Sequence, residues 1–246
     1  MSRSRSSTGA AADTAAESLF LRTSEQGLLD LAACEASDVV FLLAREGAPP
    51  PPLDELERAA LERGFVVARL AIGPAHSFEA LDEVVRAFVR ALTLPGHKAV
   101  ARRGRRGGGL VPLLDAFLSD RGARALDVFD ENAAELGFSG DLHDLARAYL
   151  ATERGPRQEM MRLEAWLAGT ELTRAAVADA IPALSTRTAK RALIGLSRLV
   201  RALGHDGLVL VAEGADYLTQ LTETRREIAY TVLRELLDNG DGAPGL

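Results

Sequence analysis

The chain has 246 residues, a formal net charge of −6, 47% hydrophobic and 26% charged residues. That is the composition of a globular protein with one large domain or two small ones, and the acidic balance argues against a DNA-binding surface spread over the whole molecule. No apolar stretch approaches the roughly 20 residues that span a bilayer, and the single cysteine, Cys34, leaves no internal disulfide, which fits a reducing cytoplasm.

The opening "MSRSRSSTGAAADTAAES" has two arginines but no apolar core, so it is no secretory signal, and Asp13 and Glu17 count against a mitochondrial presequence. Residues 1–23 read as a disordered leader, followed by a single domain over 24–246. Val39–Ala44, "VVFLLA", is a wholly apolar run of the kind that forms a parallel strand buried on both faces. A loop with four prolines, Pro49 to Pro52, leads into a helix over Leu53–Arg63 whose apolar side carries Leu53, Leu56, Ala60 and Leu61, with Gly64 as its C-terminal glycine. Phe65–Ile72, "FVVARLAI", is a second strand. Together these make a βαβ unit with a right-handed crossover.

Ser77 is placed to cap a further helix whose buried stripe is Phe78, Leu81, Val85, Phe88 and Leu92. Pro95–Gly109 is basic and glycine-rich and reads as a mobile loop. Three stretches after it, "LVPLLDAFL", "DLHDLARAYLATE" and "RQEMMRLEAWLAG", have helical spacing, with Trp166, Met160 and Met161 read as core. The segment from Arg121 to Phe138 fits no single pattern. From Thr186 the positions Ala189, Ala192, Leu193, Leu196, Leu199, Val200 and Leu203 define a long amphipathic helix ended by Gly204, with Lys190, Arg191, Arg198 and Arg201 opposite. Gly207–Ala212 is an apolar strand and Tyr217–Leu237 a last helix. The alternation predicts an α/β fold with a mainly parallel sheet, interrupted by a helical insertion over about 95–185.

In this order, "GFVVARLAI", "LDEVVRAFVRAL", "EAWLAG", "RALIGLSRLVRALGHDGLVLVAEGADYL" and "REIAYTVLRELLDN" resemble the BREX-system ATP-binding proteins. These form a P-loop family related to the AAA+ and origin-recognition ATPases and associated with bacterial phage defence. The resemblance runs from Ser24 to Leu246 and implies a P-loop NTPase-like domain that binds ATP and magnesium. It also implies a Gly-x-x-x-x-Gly-Lys-Ser/Thr loop after the first strand. In that loop, backbone N–H groups cradle phosphate, a lysine reaches the β- and γ-phosphates and a hydroxyl holds magnesium.

Here the loop reads Arg45-Glu46-Gly47-Ala48 and then proline, with Pro49 at the lysine position and Pro50 at the hydroxyl position. Proline has no N–H and a φ fixed near −65°, so this loop cannot form a phosphate nest. The resemblance also implies an Asp-Glu pair at the end of the later strand, for magnesium and water activation. Ala212 and Glu213 stand there. The helical lid that family members carry beyond the "PGL" stretch is expected to be absent.

These departures predict an inactive module without a nucleotide cofactor, acting through protein partners. A weak nucleotide binder using Arg45, Gly47, Pro49, Pro50 and Glu213, with ATP and magnesium, is the alternative. A nucleic-acid contact through Lys98, Arg102, Arg103, Arg105 and Arg106 is another, against which stands the absence of interleaved aromatics. Glu213 is otherwise a solvated carboxylate at a strand end, and Asp216 a cap or first-turn acid of the next helix. His76, His97, His143 and His205 are scattered without metal-ligand spacing.

Overall fold

The computed structural model describes residues 52–96, 109–151, 157–167 and 184–237. The leader over residues 1–23, the run Val39–Ala44 and its expected pairing with the later strand, the loop positions Arg45 to Pro50 and the basic stretch Lys98 to Arg106 lie outside them.

Helix α1 (Leu53–Glu62) carries Asp54 and Glu55 in its first turn, where acidic side chains offset the exposed N–H groups. It ends as its glycine requires: Gly64 adopts a φ of +86°, and the Phe65 N–H returns to the Ala60 carbonyl at 3.0 Å. This turn aims the chain into strand β1 (Val66–Ala71). With a period of two, Val66, Ala68 and Leu70 enter the main core. Phe65 and Val67 face the other way, into a smaller cluster with Ala60 of α1.

Phe78, at a φ of +60°, and not a serine cap, leads into helix α2 (Leu81–Arg90). Ala80 holds the capping position, and the Ser77 hydroxyl instead donates to Glu79 Oε2 at 2.5 Å. Leu81, Val84, Val85 and Phe88 form the buried stripe of α2. Leu92, which fits the same helical spacing, belongs to strand β2 (Leu92–Thr93). The chain turns straight from the end of α2 into β2 and pairs antiparallel with β1, Val67 opposite Thr93 and Ala68 opposite Leu92.

Helices α3 (Leu110–Arg121), α4 (Ala125–Glu135), α5 (Asp141–Leu150) and α6 (Arg157–Leu167) follow, with a single 3-10 turn, Gly122–Arg124, joining α3 to α4. That turn is why the segment from Arg121 had no single period. Trp166 and Leu163 bury the inner side of α6, as the sequence predicts for Trp166, but Met161 is 60% exposed and is not core. Met161 lies two residues before Leu163, about 200° around the helix and hence on its outer side.

Helix α7 (Thr186–Ala202) runs along the middle of the helical layer and packs on α2, α4 and α5. Leu193, Leu196, Leu199 and Val200 are all buried, each worth about 1.5–3 kcal/mol when removed from water. Polar ties fix its ends. Arg86 of α2 donates to the Leu184 carbonyl at 2.8 Å, and Asn132 of α4 donates to the Ala202 carbonyl at 2.8 Å.

Strand β3 (Leu208–Glu213) pairs parallel with β1 through six residues, from Val66 opposite Leu208 to Ala71 opposite Glu213. The order among the described strands is β2-β1-β3. The sheet is therefore small and mixed, not mainly parallel. The physical reason lies in the connections: β1 and β3 are joined by a long helical crossover, whereas β2 is joined to its neighbour by the one helix α2 and returns in the opposite sense.

The last helix does not begin at Tyr217. A 3-10 turn, Ala215–Gln220, comes first, and extended Leu221 separates it from α8 (Glu223–Leu237). Ala229 and Val232 bury the inner side of α8, while Ile228 and Tyr230 are exposed. Arg225 fastens the helix to the loop before α2, with Nε at 2.8 Å and Nη2 at 2.5 Å from the Glu79 carboxylate. No described helix is long and apolar enough to cross a membrane.

Two expectations follow. In Gly64→Ala the new Cβ would stand 2.2 Å from Asp206 Oδ2 at a backbone angle that alanine resists. Stability to urea should fall by about 1–3 kcal/mol. The second concerns Glu79, whose carboxyl is lowered from the ordinary 4.5 to about 2, first by the Arg225 guanidinium and then by the Ser77 hydroxyl. A depressed carboxyl stabilises the fold above its unfolded value and loses that contribution as pH falls through the folded one. The α8 clamp should therefore hold at pH 4.5 and open towards pH 2, which an NMR titration of the Glu79 side chain reads directly.

Candidate functional site

Strands β1 and β3 end side by side, and ligands of α/β sheets bind beyond such carboxyl ends. The two residues that matter there are two positions apart in register, Arg69 opposite Val211 and Glu213 opposite Ala71. Arg69 follows Phe65 and Val67 on the α1 side of β1, and Glu213 follows Val209 and Val211 on the same side of β3. The alternation that buries the valines thus brings a guanidinium and a carboxylate together at the edge of the small cluster.

They form a two-pronged ion pair. Arg69 Nε donates to Glu213 Oε1 at 3.1 Å and Nη2 donates to Oε2 at 2.8 Å. The third nitrogen, Nη1, bonds the Asp54 carboxylate and lies 3.7 Å from Glu57 Oε2. Asp54 and Glu57, three residues apart, present both carboxylates on the face of α1 that overlooks the strand ends. One guanidinium therefore fastens α1, β1 and β3. Its hydrogen bonds to Glu213 and then to Asp54 drive the Arg69 pKa further above its ordinary value, so it is a permanent cation.

Glu213 is held by its backbone as well. Its carbonyl accepts from the Ile72 N–H at 2.7 Å, and Gly214, at a φ of +79°, turns the chain away from the sheet. Ala212 is exposed and offers only a methyl group. Asp216 lies exposed in the first turn of the 3-10 segment, where its carbonyl accepts from the Thr219 hydroxyl at 2.7 Å, and it does not approach the Arg69–Glu213 pair as a further ligand. Among the described residues no three histidine, cysteine, aspartate or glutamate side chains converge on a point where a metal could sit. At this strand end Ala212 offers no ligand atom, and both oxygens of Glu213 are engaged by Arg69.

A family model described as BREX system ATP-binding protein BrxC/D matches residues 53–244. The chain belongs to this family. No curated protein and no solved structure matches the chain. The family match takes in α1, β1, β3 and the Arg69–Glu213 pair. It begins at Leu53, after the expected loop positions Arg45, Gly47, Pro49 and Pro50 and not at Ser24.

Sequence reasoning placed Glu213 at the end of a strand and missed its partner. The signal was in plain view: Arg69 is the one charged residue in the run "FVVARLAI". An arginine inside a buried strand needs a carboxylate on the same face. Of the basic face on α7, Lys190 and Arg191 are exposed, while Arg198 and Arg201 are half-buried along the helix, so the four do not make one continuous exposed stripe.

If Arg69 fastens the three elements, Arg69→Met should keep the aliphatic packing and lose about 1–2 kcal/mol of stability. A double-mutant cycle with Glu213→Gln, measured by urea denaturation, should give a coupling energy of about 1 kcal/mol. A coupling near zero would show that the pair is only a surface contact.

Proposed function

We propose that this member of the BREX ATP-binding family is a pseudo-ATPase. It is a P-loop-like α/β domain with a helical insertion over about 95–185, serving as a structural or regulatory protein-interaction module in the cytoplasm. The observation that carries the reading is the two-pronged contact between Arg69 and Glu213. A carboxylate that activates water needs an oxygen free to take a proton and a pKa suited to that task. Both oxygens of Glu213 accept from a permanent cation instead. The sequence supports the same reading independently, because Ala212 and Pro49–Pro50 stand where a magnesium ligand, a lysine and a hydroxyl are needed. The family's link to the BREX system makes phage defence the setting in which such a module would meet its partners.

A second reading has one observation in its favour: the family is described as ATP-binding. Binding without hydrolysis would then use contacts at residues such as Arg45 and Gly47. Isothermal calorimetry with Mg-ATP, and with ADP and GTP beside it, separates the two. The pseudo-ATPase reading expects no heat up to high micromolar nucleotide. A saturable low-micromolar isotherm would replace it with the second.

A further inference from the structure

Among the described residues the outer edge of β1 has a short gap past the end of β2. In the parallel pair, Val66 donates to Gly207 and Ile72 donates to Glu213, so the even-numbered residues of β1 turn their backbone groups towards β3. The odd-numbered residues turn theirs outward. Val67 meets Thr93 of β2 on that side, and Gly73 exchanges two hydrogen bonds with His76 at 3.1 and 3.0 Å. Between these two closures stand Arg69 and Ala71; Arg69 lies next to the end of β2, and beyond it the N–H and carbonyl of Ala71 face outward with no described strand paired to them. A groove of about 720 Å³ opens at this place, within the on-the-order-of 300–1,000 Å³ of ligand pockets. Ile72, Ala87 and Ala91 give it apolar walls, and His76 and Arg90 line it. Arg69 also borders it, but its guanidinium is engaged by three carboxylates. Arg90 is exposed and makes no ion pair among the described residues.

We propose that this groove captures the carboxy-terminal end of an extended partner peptide. One residue of the peptide completes the ladder by exchanging hydrogen bonds with Ala71, and the terminal carboxylate lies against the Arg90 guanidinium. The charge of Arg90 selects an anionic terminus, and the gap in the ladder selects an extended backbone over a helix. The apolar walls take a small aliphatic side chain. This deepens the interaction role proposed above by naming the chemistry of a partner, and it rests on that reading only for its biological sense.

The test uses the full chain without nucleotide and a set of fluorescein-labelled peptides of about four residues, which extend some 13 Å. Each peptide ends in valine, alanine or leucine and is made with a free carboxylate, with an amidated terminus and with an N-methylated backbone. Fluorescence anisotropy should show saturable binding of free-carboxylate peptides, lost on amidation or N-methylation. Arg90→Gln should weaken it by about tenfold or more with an unchanged melting temperature. Ala71→Pro, which removes an outward N–H and leaves the bonds to β3 intact, should weaken it similarly. If that variant fails to fold, the N-methylated peptides report on the same hydrogen bonds. Equal binding of free and amidated peptides, unchanged affinity in Arg90→Gln, or no binding of any peptide at millimolar concentration would each overturn the proposal. Heat from Mg-ATP in calorimetry would overturn the pseudo-ATPase reading alone.

Discussion

Six residue pairs hold β1 parallel to β3, and almost everything else about the molecule is arranged around that register. A period of two assigns each residue to one of two clusters: the large helical layer built on α7, or the small cluster under α1. The same period decides where the polar groups go. Arg69 and Glu213 meet because both follow buried residues on the α1 side, and Ala71 turns its backbone outward because its neighbours bond to β3. A slip of one residue would bury both charges among the leucines of the main core and turn valines towards solvent.

The two strands could be read from their sequences because each is a short apolar run bounded by glycine, and α7 because its apolar stripe persists over 17 residues. What could not be read was set by contacts distant in sequence. Leu92 satisfies the spacing of α2, yet it pairs with Ala68 in β2, because the helix runs out at Ala91 and an open strand edge lies beside it. Ser77 has the chemistry of a cap, but Phe78 turns inward at a positive φ and moves the helix start three residues on. At the site, the alanine at position 212 was legible from the sequence alone. The occupation of Glu213 was not, since it depends on a partner 144 residues away.

The Arg69 cluster has a physical logic that separates it from an ordinary surface ion pair. Exposed single pairs contribute little, because two flexible chains must be ordered in high dielectric. Here the arginine stem leaves a buried strand and one guanidinium edge engages Glu213 of the neighbouring strand, held by its register, while the other meets the exposed Asp54. Little entropy remains to be lost when the bonds form. Lysine could supply the charge but not the planar fork that engages Glu213 and Asp54 together.

That cluster also sets the charge at the strand ends. At the carboxyl ends of parallel strands, carboxylates held close together repel one another unless a cation lies between them. In an ATPase the cation arrives with the nucleotide, and the site is complete only when loaded. Here a cation is covalently part of β1 and lies among Asp54, Glu57 and Glu213, so it offsets part of the charge of the three carboxylates whether or not anything binds. The strand ends are thereby tied to α1, while the outward backbone groups of β1 lie on the side turned away from β3.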